Sequence, residues 1–214
     1  MKNLGKALGK ALIFSVVMMV ICSFAYPLAL TGISTITMKE KAGGNLIDKD
    51  GNPTTDVKKA VGSKLIGQDF SEDCYFRGRV SSVNYNTYTK EQKESGEYAG
   101  VSSGNFNYGN SNPDFKARME EDIEEFLDTH PGVKKEDIPA DLLTASGSGL
   151  DPHISPKAAE IQVEAVALHS GLSKEQVEDI VRKNTEHKVA GVFGEERVNV
   201  LGCNLDIAKA MGNL

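Results

Sequence analysis

The sequence predicts an α+β protein, a single N-terminal transmembrane helix followed by one small extracytoplasmic α+β domain. Three observations carry this prediction. Residues 11–38 are uncharged and largely apolar, short β-branched and aromatic segments follow them, and helical apolar periodicity is confined to the second half of the chain. At 214 residues the chain has room for an anchor and one domain with a core, but none for a multi-pass transporter. The first 38 residues hold three lysines and no acid, which leaves 21 basic and 30 acidic groups, a net of −9, beyond them. Nucleic-acid binding is excluded as the main activity, because phosphate contacts need clustered Lys and Arg.

The anchor comes first. Leu12, Ile13, Phe14, Val16, Val17, Met18, Met19, Val20, Ile21 and Phe24 make its first half almost continuously apolar. At about 1.5 Å per residue the run reaches roughly 42 Å, more than the ~30 Å hydrocarbon core requires. Pro27 predicts a kink or the end of the apolar core, and Tyr26 beside it suits the headgroup level. A cleaved signal peptide ending at Ala25 is the competing reading, opposed by the 13 further uncharged residues. A lipoprotein through Cys22 is opposed by the bulky Ile21 before it. Lys2, Lys6 and Lys10 precede the span, whereas Lys39, Glu40 and Lys41 nearly balance after it. The expected organisation is therefore a cytoplasmic N-terminus at 1–10, the anchor at 11–38, a tether at 39–60 and an outer domain at 61–214, in a bacterial cell (inner or plasma) membrane.

Residues 39–60 are turn-rich, through Ala42-Gly43-Gly44-Asn45 and Asp48-Lys49-Asp50-Gly51-Asn52-Pro53, and open into a loop or hairpin. Ser63–Gln68 and Cys74–Val80 have strand composition. Residues 81–113 form a long Asn/Ser/Tyr/Gly-rich loop with few aliphatics. Phe115, Met119, Ile123, Phe126 and Leu127 make one face of a helix over Asp114–Asp128. Ser155-Pro156 opens a second helix that Gly171 stops, with Ile161, Ala165 and Leu168 as its apolar stripe. Ser173 and Gln176 form a capping box on a third, whose buried face is Val177, Ile180 and Val181, with Leu172 and Val177 as the staple. Val198–Leu201 reads as a short strand and Asn204–Met211 as a last helical turn or two. Cys74 and Cys203 either pair in an oxidising compartment or are small buried residues.

The most distinctive segment runs from Thr144 to Pro156, Thr-Ala-Ser-Gly-Ser-Gly-Leu-Asp-Pro-His-Ile-Ser-Pro. Its candidate functional residues are Ser146, Gly147, Ser148, Gly149, Asp151 and His153. A Gly/Ser turn before a helix can hold an anion, and it can equally be a tight loop that needs positive φ and ends in a cap. It lacks the Gly-Lys-Ser/Thr of a phosphate loop, and Ser148 does not sit in a nucleophile elbow. Asp151 and His153 invite a metal or acid–base reading, but the spacing of the other histidines supplies no ligand set, so no metal is expected.

Taken together, these motifs resemble the C subunit of Kdp-type potassium-transporting ATPases, the KdpC family, along nearly the whole chain. The resemblance rests on Tyr26-Pro27-Leu28 with Thr31-Gly32, Leu65-Ile66-Gly67-Gln68, Gly78-Arg79, Pro139-Ala140-Asp141-Leu142, the Thr144–Pro156 segment and Arg197-Val198-Asn199-Val200-Leu201. It implies a noncatalytic subunit of a high-affinity ATP-driven potassium pump, with potassium as the transported ion and no covalently bound cofactor. The implied partners are a channel-like potassium-binding subunit (KdpA), a P-type ATPase subunit (KdpB) and a very small fourth subunit (KdpF). The family is described as a catalytic chaperone that raises the ATPase subunit's nucleotide affinity, and the glutamine it proposes as a nucleotide contact matches Gln162. A domain outside the membrane would hold Gln162 away from cytoplasmic ATP, so an outer cap at the potassium entrance with no nucleotide contact is the alternative expectation. The chain departs from the family pattern at Val80, where a proline is usual, at Ala165, where a basic residue is common, and over 102–112, where a glycine-rich signature is blurred.

Overall fold

The structure, a computed structural model, describes residues 2–96 and 100–214. Residues 97–99, within the expected 81–113 loop, lie outside the described residues.

The anchor is one helical rod made of α1 (Lys2–Val20), a π-helical turn at Ile21–Ala25 and α2 (Tyr26–Thr37). Pro27 neither ends nor breaks it. The Tyr26 N–H reaches back to the Ile21 carbonyl, five residues away. This inserts one extra residue where the proline ring would otherwise press on the preceding turn. Among the described residues none of the rod over Leu4–Thr37 is buried. A 34-residue apolar helix with no protein cover has the length and composition to cross a membrane.

A single turn, α3 (Lys39–Ala42), leads into a hairpin of β1 (Leu46–Asp48) and β2 (Ala60–Ser63), paired antiparallel with Leu46 opposite Ser63. Ile47 from this hairpin packs on Leu201 and Leu205, which makes a small second core with Phe70 at its edge. Only Ser63 of the expected Ser63–Gln68 strand is in β2; the chain turns immediately afterwards, with Ile66 N–H bonded to Ser63 O.

The expected Cys74–Val80 strand is absent. Phe76 is fully buried, but its backbone finds side-chain amides rather than a neighbouring strand. Residues 84–86 form a 3₁₀ turn, and α4 (Lys90–Glu94) carries a Thr89/Gln92 capping box, so the long Asn-rich stretch holds local structure. Helix α5 (Pro113–Thr129) matches its periodicity, capped by Asn112 and buried through Ile123 and Phe126. A single turn, α6 (Ala140–Leu143), then leads to β3 (His153–Ile154).

The second predicted helix is two, α7 (Pro156–Glu160) and α8 (Val163–Ser170). Gln162 causes the break. Its own N–H bonds to Ala159 O, three residues back, and its side-chain Nε2 takes the Ala158 carbonyl that a regular helix would have given to that N–H. The buried face is consequently Ala158, Ala159, Val163, Ala165 and Val166, while Leu168, expected inside, is 66% exposed. Gly171 ends α8 at φ 73°, in the left-handed region. In α9 (Lys174–Lys183) the Ser173/Gln176 capping box forms as read, and Val177 is fully buried. Strands β4 (Thr185–Glu186) and β5 (Arg197–Asn199) complete a three-stranded antiparallel sheet in the order β3-β5-β4. Strand β5 ends at Asn199, because its side chain accepts the Gly202 N–H and starts α10 (Val200–Ala210). Val200 and Leu201, expected in a strand, therefore open this helix. The main core gathers α5 to α10 around Phe76, Ile154, Val166, Val177, Val198 and Ile207. Cys74 and Cys203 are free thiols, the second fully buried.

Candidate functional site

The Thr144–Pro156 segment is a clasp. Ser146 is 1% exposed and its N–H bonds to Val80 O at 3.1 Å, while Asn105 Nδ2 donates to Ser146 O at 2.9 Å. Ser148 O accepts Gly104 N–H at 2.9 Å and Ser103 Oγ–H at 3.0 Å. Gly149 O accepts Ser81 Oγ–H at 2.6 Å, and Leu150 O accepts Gly67 N–H at 2.8 Å. The loop thus ties three otherwise irregular stretches, at 67, 80–85 and 103–105, to the helical body. Gly149 has φ 67°, and a Cβ there would lie 2.8 Å from Val83 and 2.9 Å from the Gly104 carbonyl, so only glycine fits. The blurred 102–112 stretch is where this loop finds partners.

Asp151 sits at the exit of the clasp. Arg79 Nη1 lies 3.1 Å from one of its oxygens, and the His153 N–H donates to the other at 3.0 Å. Burial alone would raise its pKa, but hydrogen bonds from His153 and Arg79 outweigh that and hold the carboxyl below the usual range. His153 pairs with Asn199 across β3 and β5, and its Nε2 lies 3.4 Å from Asn199 Nδ2. Tyr85, between the clasp and Arg79, donates its hydroxyl to Arg79 O, and burial pushes its pKa up to about 12. Asp141 accepts from both the backbone N–H and the hydroxyl of Ser155, whose oxygen in turn caps α7 through Ala158 N–H.

Gln162 lies on the other side of the Arg77–Arg79 stretch and is fully buried. Its Oε1 accepts the Arg77 N–H at 2.8 Å, and its Nε2 donates to Ala158 O at 3.0 Å and Arg77 O at 3.3 Å. Asn204 repeats the device one residue earlier, accepting Phe76 N–H at 2.8 Å and donating to Phe76 O at 3.0 Å. Two side-chain amides thus do for residues 76 and 77 what a neighbouring strand would do. Sequence reasoning noticed Gln162 through a resemblance and missed the role of Asn204. The available signal was an amide on an otherwise apolar helix face, since Ala158, Ala159, Val163 and Val166 surround one and Val200, Cys203 and Ile207 the other.

A cleft of about 390 Å³ lies beside this stretch, lined by Arg77, Arg79, Tyr85, Asp69, Asp122 and Glu125 among others. Arg77 is already spanned between Glu125 at 2.8 Å and Asp73 at 3.2 Å. Among the described residues no histidine nitrogen bonds to Ser146 or Ser148, and no three His, Cys, Asp or Glu side chains converge as a metal site. The arrangement can hold an irregular chain in place; it presents no nucleophile–base pair.

Comparison with known proteins decides the relationship. The family model described as KdpC, the K+-transporting ATPase c chain, matches residues 8–209, which takes in the anchor, the clasp and both amide-bearing helices. The chain belongs to the KdpC family. It is 53% identical over 212 residues to the potassium-transporting ATPase KdpC subunit of Clostridioides difficile, covering 97% of this chain and 99% of that protein. With the KdpC subunit of Clostridium kluyveri it shares 51% identity over 212 residues, 99% of this chain and 98% of the other. The KdpC subunit of Caldanaerobacter subterraneus subsp. tengcongensis is 45% identical over 204 residues, 95% of each. The KdpC-like motifs read from the sequence, Leu65–Gln68, Gly78-Arg79, Thr144–Pro156 and Arg197–Leu201, meet in space as the clasp, the strap it holds and the strand beside it.

Proposed function

We propose that the chain is the membrane-anchored, noncatalytic accessory subunit of an ATP-driven potassium-uptake complex, and that it stabilises the assembly from outside the membrane. The observation that carries this reading is the use made of the family's signature residues. The backbone groups of Ser146, Ser148 and Gly149 and the side chains of Asp151 and Gln162 are bonded to the chain's own backbone and neighbours, which suits a rigid docking body. The partners are a channel-like potassium-binding subunit, a P-type ATPase subunit and a small fourth subunit (KdpA, KdpB and KdpF). Lys2, Lys6 and Lys10 before the span support a cytoplasmic N-terminus, with residues beyond about 38 outside, in a bacterial inner or plasma membrane.

On this reading any influence on ATP affinity passes through the complex. A direct nucleotide contact by Gln162 would require the Arg77 strap to come off first, leaving a backbone donor and acceptor unpaired. Titrating the purified full chain with ATP tests this: a saturable signal abolished by Gln162→Ala, with the fold intact, would restore the nucleotide-contact reading. The accessory role itself is tested by deleting the subunit. Loss of complex assembly and of high-affinity potassium uptake is expected, and unchanged uptake would overturn the proposal. The net charge of −9 beyond residue 38 also suits a cap near the cation entrance, with enrichment confined to about 8–10 Å by salt.

A further inference from the structure

Strands β4 and β5 are joined by a finger, residues 187–196, whose tip runs Val189-Ala190-Gly191-Val192-Phe193-Gly194 without a charge. Val189, Val192 and Phe193 are 72%, 73% and 69% exposed. Three large apolar side chains on one protruding turn are unlike scattered surface residues and mark a contact. Two further features say what kind.

Four of the six N–H groups of the tip bond within the finger. Val189 N–H bonds to Phe193 O at 2.8 Å, Phe193 N–H to Val189 O at 3.0 Å, Gly191 N–H to Lys188 O at 3.1 Å and Val192 N–H to Val189 O at 3.2 Å. These closed bonds lower the cost of bringing the tip to an apolar layer, because lipid supplies no partner for a free N–H. The flanks are paired in rungs: Lys188 forms an ion pair with Glu195 at 3.3 Å and Arg197 with Glu186 at 2.7 Å, and His187 Nδ1 lies within hydrogen-bonding distance of Glu196 at 2.8 Å. Pairing its acids in this way limits the charge that the shaft brings to a headgroup layer.

The base of the finger is also tied to the end of the anchor. Asn45 N–H bonds to Glu40 O, Lys64 N–H bonds to Asn45 O, and Lys64 Nζ reaches Glu186 at 2.9 Å. Three contacts therefore lead from the turn after the anchor to the root of the finger. Ala190, in the turn, is four residues along the chain from Glu186, a reach of about 13 Å. We propose that the finger lays Val189, Val192 and Phe193 into the bilayer interface beside the anchor, as a second membrane contact that fixes how the domain is tilted over the membrane. The inference rests on the anchor spanning the membrane. Because the anchor already holds the domain at the surface, the contact is intramolecular in effect and needs little intrinsic affinity.

The chain contains no tryptophan, so Phe193→Trp gives a single reporter at the tip. The full chain carrying it is reconstituted in phosphatidylcholine vesicles with ordinary or brominated acyl chains. Blue-shifted emission, with most of it lost in brominated lipid, is expected, together with its recovery when Val189→Asp and Val192→Asp are added. Water-like emission indifferent to bromine would overturn the proposal, as would quenching that survives the double substitution. Repeating the measurement in the assembled potassium-pump complex separates the remaining occupant: shielding from bromine there would mean that a partner subunit covers the finger, and would equally overturn the bilayer as its site.

Discussion

Gln162 shows how one side chain can shape a domain. An amide at a core position must be hydrogen-bonded, and this one is bonded at both ends, so it breaks its helix and holds Arg77. Replacing it with alanine leaves the Arg77 donor and acceptor without partners in a dry setting. Gln162→Ala is expected to cost on the order of 3 kcal/mol in denaturant unfolding of the full chain. His130 acts through charge. It is 4% exposed, stacked on Phe126 with ring centres 3.9 Å apart, and burial pulls its pKa from 6.5 down to about 4. Between those values the unfolded chain binds a proton that the folded chain does not. Above pH 6.5 His130 therefore leaves stability unchanged; as pH falls toward 4 it removes up to roughly 3 kcal/mol. His130→Leu should flatten that part of the acid limb in a pH series of urea melts.

At the scale of the element, capping and turn chemistry were readable and strand pairing was not. The Ser173/Gln176 box formed as read, since both of its bonds are local, with Gln176 N–H on Ser173 Oγ and Ser173 N–H on Gln176 Oε1. Ser173→Ala should lower stability by about 1 kcal/mol, measured by thermal or urea unfolding. Gly149→Ala should cost more than that by the same measurement, because it adds a left-handed backbone penalty to a clash with Val83 and Gly104. Strand composition at Cys74–Val80 misled because an extended chain needs partners for its backbone, and composition does not say whether they come from a strand. Here they came from Gln162 and Asn204, 85 and 128 residues away. The anchor's π-turn was equally hidden: Pro27 announced an irregularity, but only the helix register shows that it is absorbed upstream, at Ile21–Ala25.

For the whole molecule, the exposure of individual residues says which of them can report the side of the membrane that the domain occupies. Cys203 is fully buried and burial raises its thiol pKa, so it should resist maleimide until the protein unfolds. Val57 is 77% exposed in the β1–β2 hairpin. In a Cys74→Ser background, Val57→Cys should be labelled in intact cells by a membrane-impermeant maleimide, and labelling only after permeabilisation would reverse the topology. By itself the sequence determined the anchor, the helices with local caps, the KdpC-like motif set and the expected orientation. Each of these rests on short-range physics: apolar length, 3.6-residue periodicity, a hydroxyl three residues from an N–H, lysines beside a span. Only the tertiary structure decided that the Thr144–Pro156 segment is a clasp, that Gln162 and Asn204 stand in for a strand, and that the finger rooted beside the anchor carries an apolar tip. Those outcomes depend on which distant backbone groups arrive within about 3 Å of one another, and that is settled by packing.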